Sequence, residues 1–129
     1  MRAPFTSPWL VDSRWLHELE TQLLKFSADP SQKPTRPQRK LAATRKAGGK
    51  GNAGGGNVRI LGLYGLLELS QSDFGLWTGG TSLREFGAAF DDAIRDPSVT
   101  SILIDVDSPG GTVPGVQETS DKIYQARGK

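Results

Sequence analysis

The residues of this chain best equipped for chemistry lie in one run, Asp105-Val106-Asp107-Ser108-Pro109-Gly110-Gly111-Thr112. Pro109 fixes one backbone angle, and the two glycines permit backbone shapes closed to other residues. The run therefore predicts a tight turn shaped by Ser108 and Pro109. Thr112 is suited to cap a following helix, and Pro114 to its first turn. Free backbone N–H groups would then point out of the turn, beside the positive end of a helix, which suits an anion. Three chemistries compete for such a site. An oxyanion hole would use turn N–H groups to stabilise charge developing on a carbonyl oxygen. Phosphate binding is poorly supported, since neither Gly-x-Gly-x-x-Gly nor a Lys-Ser/Thr pair is present. Asp105 and Asp107 share one strand face, but without a third ligand nearby they make a weak metal pair.

Nucleophilic catalysis finds little support in the residues. Ser108 precedes the turn, and Lys122, the nearest candidate base, lies about two turns into the next helix. His17, the single histidine, sits among Glu18 and Glu20 and reads as a surface residue. The absence of cysteine removes thiolate nucleophiles, disulfides and thiolate metal ligands.

The elements that must position the run follow from hydrophobic spacing. Ile102, Ile104 and Val106 fall on one face of a strand and Leu103 on the other, a pattern suited to the interior of a parallel sheet. A helix is predicted from about Val113 to Ala126, with Val116 and Ile123 on one face and Gly128 as terminator. Upstream, Val58 to Leu67 reads as a buried strand in which Gly62 and Gly65 mark bends or close backbone approach. Ser82 and Glu85 form a capping box. Leu83, Phe86, Phe90 and Ile94 then recur at helical spacing until Asp96-Pro97 stops the helix. Residues 58–129 thus read strand, helix, strand, helix, which predicts an α/β fold with a parallel sheet and right-handed βαβ units. The functional crevice of such a sheet lies beyond the carboxyl ends of its strands, where Asp107 to Gly111 falls.

Two further segments precede this domain. In residues 1–28, Trp15, Leu19, Leu23 and Phe26, widened by Leu16 and Leu24, predict a short amphipathic helix from Asp12 or Ser13. Residues 29–57 carry three prolines, six glycines and seven Lys or Arg but scarcely a large apolar side chain, and read as a disordered basic linker. Charge divides accordingly: residues 1–57 hold ten basic against four acidic residues, and residues 58–129 six against ten. The linker's Lys33 to Lys50 stretch suits weak contact with nucleic acid or an acidic partner, although no aromatic residues interleave it for base stacking. No secretory leader is visible, and the longest apolar run is too short to span a bilayer.

Ile104-Asp-Val-Asp-Ser-Pro-Gly-Gly-Thr-Val113 resembles the signature turn of the signal peptide peptidase A family of serine peptidases (peptidase family 49). Gly79-Gly80-Thr81-Ser82, Asp96-Pro97-Ser98-Val99 and, more faintly, Pro8-Trp9-Leu10 add to the likeness, which is strongest to the phage and prophage branch. The resemblance implies a Clp/crotonase-like fold and a Ser/Lys dyad that processes capsid or scaffold proteins. It also implies an oxyanion-hole N–H from Gly110 or Gly111, Gly111 being preferred. The family's nucleophile and lysine fall on later elements, so both are expected beyond Lys129 and no catalytic residue is expected within this stretch. On that reading the chain is the N-terminal part of such an enzyme, inactive alone, with no cofactor or metal. Its expected partners are a peptide substrate and, at full length, copies of itself, in a bacterial cytoplasm or a phage prohead. Two other readings stand beside it: a non-catalytic capsid-associated assembly module, and a crotonase-type acyl-thioester enzyme using the same oxyanion physics.

Overall fold

The computed structural model of the chain describes residues 9–29, 42–46, 56–72, 75 and 78–128. Its long axis is a pair of parallel strands, β3 (Asn57–Glu68) and β5 (Val99–Thr112). Helix α2 (Leu83–Arg95) connects them, so the predicted strand–helix–strand unit is present. Two antiparallel edge strands extend the sheet: β1 (Trp9–Val11) lies on β5, and β2 (Ala42–Lys46) lies on the first half of β3. The two-residue β4 (Thr81–Ser82) pairs in parallel with the end of β3. Helix α1 (Ser13–Ala28) follows β1, and α3 (Val116–Gln125) follows β5. The result is a mixed α/β fold with a five-stranded sheet in which only part of the pairing is parallel.

The core forms where the helical stripe of α2 meets the sheet. Leu61 and Leu63 pack with Leu83, Phe86 and Phe90, and Ile102, Ile104 and Ile123 flank them. Phe86 is wholly buried, and its ring lies 6.1 Å from that of Phe90. Ser82 caps α2 as its sequence indicates, with its Oγ accepting the Glu85 N–H at 3.3 Å. Lys122 of α3 reaches Asp91 of α2 at 2.6 Å and joins the two helices. Asp96 closes α2, and its carboxylate accepts both the hydroxyl and the N–H of Ser98.

Four expectations change. The turn predicted at residues 109–111 is extended strand, and the chain turns at residues 113–115 instead. Thr112 therefore does not cap α3: Gly115 does, with a left-handed φ of 89° that a side chain would resist. Ala42–Lys46, inside the stretch read as linker, has a backbone partner in β3, while residues 30–41 and 47–55 lie outside the described residues. Finally, β5 is not fully interior. Leu103 is 54 % exposed and Val106 61 %.

On the N-terminal helix, Asp12 accepts the Arg14 N–H at 2.8 Å, Leu19 is buried and Leu16 and Leu24 are exposed. The side chains of Leu23 and Phe26 lie outside the described residues. No described helix is long and apolar enough to cross a membrane.

Two outcomes follow from this packing. Phe86→Ala removes the largest wholly buried side chain among the described residues and is expected to cost about 3–5 kcal/mol of stability, read from urea denaturation. The Ser98 hydroxyl and then its N–H, with Arg59 further off, hold the Asp96 carboxyl below the ordinary carboxylate range. A lowered folded pKa means this stabilisation is present at neutral pH and is lost as pH falls through that folded value. Ser98→Ala should raise the Asp96 titration midpoint observed by NMR.

Candidate functional site

The chemistry-bearing run sits at the carboxyl end of the parallel pair, where the register breaks. Tyr64 opposes Asp107 and Leu66 opposes Gly110, so one residue of β3, Gly65, faces two of β5, Ser108 and Pro109. This is a bulge, not a turn. Pro109 has no N–H to give a ladder, and the Ser108 hydroxyl takes over the missing connections. Its proton goes to the Gly65 carbonyl oxygen at 2.6 Å, and its oxygen accepts the Gly110 N–H at 3.1 Å. Gly65 itself has φ 61°, and a Cβ there would lie 2.5 Å from the Gly79 carbonyl oxygen. On the opposite edge of β3, Thr81 Oγ1 accepts the Tyr64 N–H at 2.9 Å and donates to the Tyr64 carbonyl at 2.8 Å. Two hydroxyl side chains thus hold one kink from either side.

Gly110 and Gly111 serve close approach. A Cβ on Gly111 would collide with the Leu67 backbone of β3, and one on Gly110 with the Leu10 carbonyl of β1. The Asp12 N–H donates to the Pro109 carbonyl at 2.9 Å. Alternation along that antiparallel ladder makes Leu10 and Gly111 its next hydrogen-bonded pair. The Gly110 N–H is therefore engaged by Ser108, and the Gly111 N–H is directed at β1. In this arrangement the two expected oxyanion donors serve the sheet.

The remaining candidates disperse. Asp105 accepts the Tyr64 hydroxyl at 2.7 Å, with the Tyr64 ring lying across Gly62, the residue directly opposite Asp105 in the sheet. Asp107, one step on, is exposed, and Lys122 is committed to Asp91. His17 is exposed on α1, where its carbonyl accepts the Thr21 hydroxyl.

A second polar cluster, beside the end of β3, escaped the motif reading. Glu68 is 7 % exposed, and its carboxylate accepts the Ser72 hydroxyl at 2.8 Å and the Ser72 N–H at 3.1 Å. Ser72 Oγ in turn accepts the Gly75 N–H at 3.0 Å. The signal available in the sequence was an ionisable residue closing an apolar strand, with a serine four positions on. Gly75 in turn accepts the Gly80 N–H on its carbonyl at 2.7 Å.

Comparison with models of known protein families, with curated proteins and with solved structures finds no match for this chain. Its reading rests on its own geometry.

Ser108→Ala strips the Gly65 carbonyl and the Gly110 N–H of their shared partner, which should cost about 1–3 kcal/mol. Gly110→Ala should act locally by forcing β1 off β5. Hydrogen exchange would report it as faster exchange at residues 10–12, with the α2 amides unchanged.

Proposed function

We propose that this chain is a non-catalytic assembly module, the alternative that stood beside the peptidase reading. One observation carries the proposal: the hydroxyl and N–H groups that would do chemistry are spent on the bulge and on β1, while the Val99–Asp107 edge of β5, with Leu103 and Val106 exposed, has no second strand among the described residues. Ser108 Oγ already bonds two backbone groups, and Lys122 is paired with an acid. A nucleophile needs a base within hydrogen-bond reach, and a hydroxyl held between β3 and its own strand serves packing instead. The capsid or scaffold setting expected from residues 104–113, in a bacterial cytoplasm or a prohead, belongs to this proposal too. So does contact of the basic Lys33 to Lys50 stretch with an acidic surface.

A second reading keeps one supporting observation. The Gly111 N–H faces the edge held by the three-residue β1, so departure of β1 would leave it directed at an incoming carbonyl oxygen. That arrangement suits the oxyanion-stabilising part of a serine peptidase whose nucleophile and lysine come from elsewhere. A crotonase-type thioester site would use the same donor.

The two readings separate on a serine-directed fluorophosphonate probe. The assembly module is expected to remain unlabelled at every serine while retaining its fold by circular dichroism. Labelling of Ser108, abolished by Ser108→Ala in a variant that still folds, would overturn the non-catalytic reading.

A further inference from the structure

The two long edges of this sheet are finished differently. The sequence of β2 holds two basic residues, Arg45 and Lys46, of a type common on unpaired edges. The β5 edge carries no Lys or Arg between Val99 and Thr112, and its charges there are the exposed Asp105 and Asp107. Along that edge β1 covers only Gly110–Thr112, and Val99–Asp107 has no second strand among the described residues. Backbone direction can be followed residue by residue. Thr81 takes the Tyr64 groups on one side of β3, so the Gly65 carbonyl, and with it Leu61 and Leu63, faces β5. The parallel register then turns Leu103 and Asp105 toward β3, leaving Ile102, Ile104 and Val106 with N–H and C=O groups on the open edge.

We propose that this edge pairs with the same edge of a second copy of the chain, antiparallel, about a two-fold axis at Leu103. The inference rests on the reading of the chain as an assembly module and names its partner. Side-chain pattern selects the register. With Leu103 opposite Leu103 of the second copy, two half-exposed leucines cover each other. Ser101 then faces Asp105 and Val99 faces Asp107, so a hydroxyl meets a carboxylate and no acid opposes an acid. Centring on Asp105 would set like charges face to face. Centring on Ile104 would set Asp105 against Leu103. An isologous two-fold contact also closes on itself, which limits the assembly to a dimer at this edge.

The native sequence has no cysteine, so disulfide trapping has no background. Leu103 opposite its copy is a non-hydrogen-bonded pair, the closer of the two antiparallel spacings and within disulfide reach. Leu103→Cys under mild oxidant is expected to give a covalent dimer on a non-reducing gel, whereas Gln117→Cys, exposed on α3, stays monomeric. Light scattering of the unmodified chain should rise with concentration toward twice 13.9 kDa, and Leu103→Lys should hold it at the single-chain mass. A chain monomeric throughout, equal crosslinking at positions 103 and 117, or a dimer that survives Leu103→Lys would each overturn the self-pairing. Those outcomes differ from Ser108 labelling, which would overturn the non-catalytic reading itself.

Discussion

The structure depends on how one kink in β3 is held. Gly65 takes a left-handed conformation in the middle of a long strand, a break that ordinarily disrupts pairing on both sides. Here each side is repaired by a hydroxyl group, Ser108 toward β5 and Thr81 toward the segment that starts α2. A hydroxyl suits this work because it donates and accepts at one atom, as a backbone residue does at two. It is also short enough to sit inside the strand spacing. Because of the repair, β3 continues past Gly65 to pair Leu66 and Leu67 with Gly110 and Gly111.

From that repair the rest of the carboxyl end follows. With β3 continued to Glu68, its last carboxylate lies where the loop must turn back, and Ser72 supplies the hydrogen bonds that a buried acid requires. Gly79 lies against Gly65, Thr81 against Tyr64, and Ser82 at the start of α2. Helix α2 starts there with Phe86 and Phe90 aimed at Leu61 and Leu63. The polar cluster and the apolar core are coupled through the same few residues.

This ordering explains which parts of the molecule were legible in the sequence. Long periodic segments were: β3, α1 and α2 lie within a residue or two of their predicted limits, because apolar spacing and a Ser82 cap are local signals. Gly62 and Gly65 are expected to mark bends or close backbone approach, and Gly65 has φ 61° with the Gly79 backbone against it, while Gly62 lies under the Tyr64 ring. A turn is expected at residues 109–111 because Pro-Gly-Gly is local turn chemistry, whereas their extended form is imposed by β3 and β1, strands distant in sequence. The edge strands were missed for a related reason. Trp9–Val11 and Ala42–Lys46 are too short to show a period, and their partners supply the geometry. Glu68 and Ser72 carry no motif at all; only burial makes their pairing consequential.

The two accounts of Gly110-Gly111 use different properties of glycine, and the sterics distinguish them. An oxyanion hole uses the N–H and needs it uncovered. A crowded ladder uses the missing side chain and needs neighbours on both sides. Collision of a Cβ at Gly110 with the Leu10 carbonyl and at Gly111 with the Leu67 backbone puts neighbours on both sides. The second property is used again at Gly62, which makes room for the Tyr64 ring. What the glycines admit on the β1 side is a strand, over three residues. From Val99 to Asp107 this edge has no second strand among the described residues, and Leu103 and Val106 are exposed along it. Strand addition is how β1 closes the Gly110–Thr112 end of this edge, and the self-pairing proposed above would extend the same interaction along Val99–Asp107.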